Sequence, residues 1–286
     1  MTDTKRLYYE DVYIKEFSAK VVECRKEEKG FQVILDQSAF YPEGGGQPSD
    51  LGILGDTAVT DVQEKNGELI HYVKSELEPG TEVIGKIDWQ RRFDLMQQHS
   101  GEHIVSGLVH EAYGYNNVGF HMSSDVITID FSGVLDEKQL AEIEEKTNRN
   151  IWEDNPVEIF YPDKEELAAL PYRSKKELTG KIRLVRFPGA DLCACCGTHV
   201  THTGEIGMVK ILSVENFREG VRVTMISGKR VLDYLNMVNE QNHKVSVKLS
   251  AKATETARAV ERLQEENYRL KGRILRLEQE LCDTEA

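Results

Sequence analysis

Two short clusters of metal-binding side chains, far apart in the sequence, restrict this chain more than any other feature. The first holds His99 and His103; the second holds Cys193, Cys195, Cys196 and His199. Residues 89–113 carry apolar side chains at helical spacing, so His99 and His103, four apart, fall one turn above the other on one helix face. Cys195 and His199 repeat that spacing with a thiol and an imidazole, the sulfur and nitrogen donors that zinc prefers. A His pair at this spacing is more often packed or solvated than ligating. Of 5 Cys and 8 His in the chain, however, three Cys and two His lie between Cys193 and His202, an unusual way to fill a core. The reading is one zinc site built from two segments. Cys193 or Cys196 can stand in for Cys195, and the residues leave open whether three or four ligands bind, hence whether a position stays free for water.

The chain around these clusters divides into three parts. Residues 1–88 contain short apolar runs at 19–22, 31–35, 58–62, 69–73 and 83–87, separated by Lys29-Gly30, Asn66-Gly67 and Pro79-Gly80, the pattern of a small β-barrel or sandwich. Gly44, Gly45, Gly46 and Gln47 read as a tight turn, in which the missing Cβ atoms also let the backbone approach another surface. Residues 89–235 open with Asp88 as N-cap of the histidine helix and Gly114 as its close. Gly101 and Gly107 cost that helix about 1 kcal/mol each relative to Ala, which close packing or ligand approach would justify. Residues 118–123 read as a loop, followed by a strand through Ile127, Ile129 and Phe131. Asp136 and Gln139 form a capping box for a second helix with Leu140, Ile143, Thr147 and Ile151 on one side. Further strands are expected near 157–161 and 182–187, a short helix at 164–170, the Cys cluster in a loop, and a hairpin of 207–213 with 221–227. The sum is α+β, a layer of helices on a mixed sheet.

The third part, residues 236–286, lacks proline and reads as a long coiled-coil helix, with Val260, Asn267, Ile274 and Leu281 at heptad position a and Leu263, Leu270 and Leu277 at d. β-Branched or Asn residues at a with Leu at d favour two strands, so a homodimer is expected, with packing within the chain as the alternative.

Composition bounds the partners. A net charge of -13 argues against nucleic-acid binding by bulk electrostatics, so such a partner needs a local basic patch. Candidates are Arg173, Lys175, Lys176, Lys181, Arg183 and Arg186, and again Lys229 and Arg230, all of which could equally be solvated surface. No apolar run approaches the roughly 20 residues that span a bilayer. No targeting segment is evident, and five partly clustered cysteines do not make a disulfide framework, so a reducing cytoplasm is expected.

His99-x-x-x-His103, and Cys195-x-x-x-His199 running on through Val200 to Thr203-Gly204-Glu205-Ile206-Gly207, resemble the editing domain of alanyl-tRNA synthetase. Phe40-Tyr41-Pro42-Glu43-Gly44-Gly45-Gly46-Gln47-Pro48 is similar to the glycine-rich motif of the free-standing alanyl-tRNA editing proteins, the AlaX type. The motifs stand in the family's order across residues 40–207. The resemblance implies Zn2+ held by His99, His103, Cys195 and His199, and hydrolysis of the ester joining serine, or glycine, to the terminal adenosine of tRNA(Ala). It implies Ser38, Gln47 and Cys195 as catalytic residues, and Ser38, Gly44, Gly45, Gly46, Gln47, Asn117 and His121 as substrate-binding ones. Ser38 stands where the family usually has Thr and would read the seryl hydroxyl; Asn117 lies near a position where the synthetase often has Gln. Longer relatives continue past such a C-terminal helix into another domain, and too little chain precedes residue 40 for an aminoacylation domain. Two other functions compete with this one. A dimeric tRNA-binding module with a structural zinc fits a closed four-ligand site. A zinc peptidase fits poorly, because Ser100 replaces the Glu that the helical protease motif places after its first His.

Overall fold

The computed structural model describes residues 4–174 and 180–284. Its first strands are β1 (Lys5–Arg6), β2 (Glu16–Glu27), β3 (Gly30–Leu35), β4 (Gln37–Ser38), β5 (Gly52–Leu54), β6 (Thr57–Lys65), β7 (Glu68–Val73) and β8 (Glu82–Ile87). Six run in the order β2-β3-β7-β6-β5-β8, all antiparallel, and β8 pairs back onto β2 to close the ring. Alternation does the sorting: in β8, Val83, Gly85 and Ile87 point inward while Glu82, Ile84 and Lys86 face out. The interior is filled by Val21, Val33, Leu35, Leu54, Val59, Val62 and Leu69. Asn66 (φ 53°) and Gly67 (φ 83°) make the two-residue turn between β6 and β7 with the left-handed backbone such hairpins need. β4 pairs with β1 in parallel and sets Ser38 opposite Arg6.

The remaining elements are α1 (Trp89–Tyr113), β9 (Asn117–Met122), β10 (Ile127–Phe131), α2 (Glu137–Trp152), β11 (Glu158–Phe160), α3 (Lys164–Ala169), β12 (Leu184–Phe187), β13 (Asp191–Ala194), β14 (Val209–Phe217), β15 (Gly220–Ser227), α4 (Lys229–Lys248) and α5 (Thr256–Thr284). They form a four-stranded sheet, β14-β15-β10-β9, and a three-stranded one, β11-β12-β13. Every pairing between named strands in both is antiparallel, so the expected mixed sheet is corrected; one isolated parallel bridge joins Arg173 to Cys193 of β13. β9–β10, β12–β13 and β14–β15 are joined by connections too short for the crossover a parallel pair requires. A second core packs Leu95, Met96, Ile104, Val105 and Val109 of α1 with Ile143 and Ile151 of α2 onto Ile127, Ile129, Val223 and Met225 of the sheet.

Three local expectations change. Of the segment 118–123, expected as a loop, all but Ser123 lies in strand β9, held by pairing with β10. Cys193 lies in β13 opposite Val185, and only Cys195 and Cys196 belong to the following loop. The long C-terminal helix is α5, which carries every heptad position from Val260 to Leu281, whereas residues 236–248 belong to α4. Between the two, Ser250 turns to φ 49°, and the Asn242 side chain bonds Ala253 O at 2.7 Å and accepts from Thr256 Oγ1 at 2.8 Å, satisfying polar groups that the break exposes. The chain divides into two compact units, Met1–Val231 and Leu232–Ala286. No helix among the described residues is long and apolar enough to cross a membrane.

Candidate metal centre

α1 is built to hold its histidines still. Asp88 accepts a hydrogen bond from Arg91 N at its start, and Gly114 ends it at φ 70°. Two turns before His99, Arg92 is fully buried; it pairs with the equally buried Asp50 and donates to Val12 O and Ala39 O. Asp50 also accepts from Tyr41 N at 2.6 Å, so one ion pair ties the helix to both flanks of the glycine-rich motif. Two glycines let other segments touch the helix. A Cβ on Gly101 would stand 2.3 Å from Ser227 Oγ, and one on Gly107 would stand 2.2 Å from Ala190 O. Close packing therefore explains both.

The His99 and His103 rings stack 5.1 Å apart, and His199 lies 4.6 Å from the first and 4.9 Å from the second. Cys195 Sγ sits 3.5 Å from His99 Nε2 and 3.6 Å from His199 Nε2. One donor atom from each of His99, His103, Cys195 and His199 lies within 4.8 Å of the others. The surrounding hydrogen bonds fix which atoms face inward. His99 Nδ1 donates to Gln47 Oε1 at 2.8 Å, and His103 Nδ1 donates to Asp191 Oδ2 at 2.8 Å, so each ring presents Nε2 to the centre. His103 Nε2 is buried without any hydrogen-bond partner, which a metal ion would satisfy. Gly197 N donates to Cys195 Sγ at 3.4 Å, as suits a thiolate.

Electrostatics agree with a ligand set. Burial pushes the Cys195 thiol up, but His99 and then His199 outweigh it and hold it well below the usual thiol range. Burial pulls His199 down to about 3, so its imidazole is neutral. Burial also opposes charge on His103, yet its bond to Asp191 holds the ring well above the ordinary histidine range. Asp191 in turn is gripped by Arg173, Nε to Oδ1 at 2.7 Å, the carboxylate–histidine arrangement that orients metal ligands.

The glycine-rich motif meets the centre directly. Gly44 and Gln47 exchange two backbone hydrogen bonds of 3.0 Å, with Gly45 at φ 63° and Gly46 at φ 89°. A Cβ on Gly46 would lie 2.7 Å from the ring of Phe120, which itself stacks 5.4 Å from His99. The motif is thus both a tight turn and a close approach. Gln47 Oε1 accepts from Thr198 N as well as from His99, and its Nε2 donates to Thr198 Oγ1. Of the expected site residues, His99, His103, Cys195, His199, Gln47 and Gly46 converge. Cys193 is buried against His103 and Asp191, and Cys196 is exposed.

Other residues stand apart. Ser38 is enclosed, its hydroxyl donating to His71 Nε2 at 2.7 Å and accepting from Phe40 N. Asn117 is bonded to Glu102 and to Ser106 Oγ, on the α1 side of β9. His121 is exposed and alternates with Phe120, so it faces away from His99. Much of the expected basic patch is consumed: Arg173 pairs with Asp191, Arg186 with Glu158 and Arg230 with Asp94. Lys175 and Lys176 lie outside the described residues. Sequence reasoning missed Asp191, Thr198, Gly197 and His71. Only Gly197, whose Cβ would fall 2.1 Å from His99, had a signal, namely a glycine inside the Cys–His motif.

Residues 2–91 match the family of class II (A) tRNA synthetases, and residues 182–222 match the threonyl and alanyl tRNA synthetase second additional domain. An alanine–tRNA ligase of Ignicoccus hospitalis is 34% identical over 95% of this chain and 31% of its own length. The alanyl-tRNA editing protein AlaX-L of Pyrococcus horikoshii is 35% identical over 82% of this chain and 60% of its own. The chain therefore spans less than two thirds of both. The alanyl-tRNA editing protein Aarsd1-A of Xenopus laevis is 33% identical over 95% of this chain and 70% of its own. With the glycine-rich motif bonded to one histidine of a buried Cys–His cluster, and with such relatives matched along most of its length, the chain belongs to the family of alanyl-tRNA editing proteins.

Proposed function

We propose that this chain is a cytoplasmic zinc-dependent deacylase that clears serine, and glycine, from mischarged tRNA(Ala). The observation that carries the reading is the convergence of His99, His103, Cys195 and His199 with Gln47 on His99. One thiolate and three imidazoles form a donor set suited to tetrahedral zinc, and zinc when bound polarises a carbonyl or a water. The aminoacyl ester is already activated, so alignment and a stabilised oxyanion suffice and no strong general base is demanded. Gln47 orients the His99 ring and joins it to Thr198, while Gly44, Gly45 and Gly46 keep side chains out of the approach. The role given to Ser38 rests on the resemblance. His71 Nδ1 donates to Val33 O, so its Nε2 takes the Ser38 proton and leaves a lone pair of Ser38 Oγ to accept from a seryl hydroxyl. Asn117 and His121 as substrate contacts rest on the resemblance alone. Residues 1–88 would place the acceptor end and residues 89–235 would carry the hydrolysis.

Four convergent donors also favour a second reading, a tRNA-binding module with a closed structural zinc. One experiment separates them: release of serine from Ser-tRNA(Ala) by purified protein, with and without chelator, beside Cys195→Ala. The deacylase reading expects metal-dependent release, lost in the variant, with far slower release of alanine from Ala-tRNA(Ala). Folded, zinc-loaded protein that binds tRNA and releases no serine would leave the binding module.

A further inference from the structure

Arg183 is only 8% exposed, yet no carboxylate pairs with it among the described residues. Its Nη1 donates to the Cys195 carbonyl oxygen at 2.6 Å, and its guanidinium lies 5.4 Å from the centre of the Tyr9 ring. The comparably buried Arg92 and the part-buried Arg173 both hold aspartates, as buried charges ordinarily do. Lys181, exposed, stands 4.5 Å over the ring of Tyr161 and likewise has no carboxylate partner among the described residues. The β11–β12 pairing ends with Phe160 opposite Leu184, so Tyr161 and Arg183 are the next residues beyond that last pair. Tyr9, 36% exposed, donates its hydroxyl to Cys196 O at 3.2 Å, and Tyr161 is 42% exposed. Among the described residues, two cations without a carboxylate partner thus stand against two partly exposed phenol rings, beside the Cys195–Cys196 backbone.

That pairing of cations with rings has a chemical meaning. Guanidinium and ammonium groups take phosphates, and tyrosine faces take unstacked bases, a combination suited to single-stranded nucleic acid. A duplex would meet the chain's net charge of -13 over a wide footprint, whereas a single strand needs only a local basic strip. A further hollow, lined by Glu111, Glu142, Glu145 and Glu153 against Lys146 and Arg149, has an excess of acidic side chains and suits a polyanion less well. We propose that Tyr9, Tyr161, Lys181 and Arg183 form a docking rim for the unpaired 3′-terminal nucleotides of a tRNA, with phosphate on Arg183 and Lys181 and bases on the two rings. The identity of the RNA rests on the deacylase reading; the single-strand chemistry rests on the rim.

The test uses the zinc-loaded full chain and uncharged tRNA(Ala), either intact or lacking its unpaired 3′ nucleotides, with binding read by fluorescence anisotropy. Wild-type protein should bind the intact RNA about tenfold more tightly, roughly what one stacked base contributes. Tyr161→Leu, Lys181→Ala and Arg183→Gln should each erase most of that preference and leave the truncated RNA unaffected. Arg183→Gln keeps a donor for the Cys195 carbonyl, so zinc content should not change. The two charge variants should also flatten the slope of log Kd against log salt by about 0.7 each. Equal weakening toward both RNAs, no weakening, or a wild type without preference for the intact end overturns the rim. So does an Arg183→Gln variant that loses zinc and keeps the preference, since the guanidinium would then serve the thiolate. If Ser-tRNA(Ala) is still hydrolysed in those cases, the deacylase reading survives without the rim. A wild type that prefers the intact end but hydrolyses nothing keeps the rim and loses the deacylase.

Discussion

At the scale of single residues, the outer partners of the candidate metal-binding cluster distinguish it from a chance grouping of His and Cys. Asp191 fixes the His103 ring through Nδ1 and is itself held by Arg173. Asp191→Asn keeps an acceptor of the same shape and removes the charge, so it should lower metal affinity about 10- to 100-fold. Competition against a chromophoric chelator reads this. The pH dependence has a definite sign. In metal-free protein the raised His103 value contributes stability that is fully present below the ordinary histidine pKa of about 6.5 and is lost as pH rises through the folded value. A metal ion must displace that proton, so affinity climbs with pH in the wild type. In Asp191→Asn the proton is held less firmly and the climb shifts to lower pH. Equal affinities across the pH range would remove Asp191 from the centre. Nothing in the sequence separates Asp191 from the chain's other carboxylates, because its role comes from the β12–β13 hairpin that returns it to α1.

At the scale of elements, α1 was the most legible part of the chain, since its caps at Asp88 and Gly114, its histidine spacing and its two glycines all carry local chemistry. The glycines give a test in which propensity and packing oppose each other. Gly107→Ala gains about 1 kcal/mol of helix propensity. Its Cβ, however, would meet backbone at Ala190 O and the Asp191 Cβ at 2.6 Å, and overpacking of this kind costs about 1–3 kcal/mol. We expect a net loss of stability in a thermal melt and weaker metal binding, because Asp191 must move. Gly272→Ala in α5 meets nothing within 4 Å and should stabilise its helix. A stabilised Gly107→Ala would show that β13 yields freely. The barrel strands were readable from apolar runs and turn dipeptides. β5, three residues long, and β9, whose Asn117-Val118-Gly119 start has no clean alternation, were not. Their pairing is decided by partners distant in sequence, which local pattern does not encode. The break between α4 and α5 escaped notice for the opposite reason: it uses neither proline nor glycine, only Asn242, Ser246 and Thr256 side chains.

At the scale of the whole molecule, the C-terminal unit raises the question of assembly. In α5 Val260, Leu263, Leu270, Ile274, Leu277 and Leu281 form one stripe, each between 37% and 63% exposed. An isolated helix with such a stripe is marginal in water, and burying each of these side chains stabilises by about 1.5–3 kcal/mol. A parallel pair of α5 helices buries them at a and d, sets Asn267 at an a position, and matches Glu266 with Lys271 of the partner subunit and Arg273 with Glu278 of the partner subunit. We therefore expect sedimentation equilibrium at micromolar concentration to give a dimer. Ile274→Lys with Leu277→Lys should return the monomer mass while leaving zinc content intact. Asn267→Ile should raise the melting temperature of the unit and blur the two-strand preference, since the buried amide holds register at a cost in stability. A wild type that sediments as a monomer, with the lysine pair lowering its melting temperature, would mean that the stripe is covered within one chain, and the heptad pattern would then describe an intramolecular helix rather than a dimer.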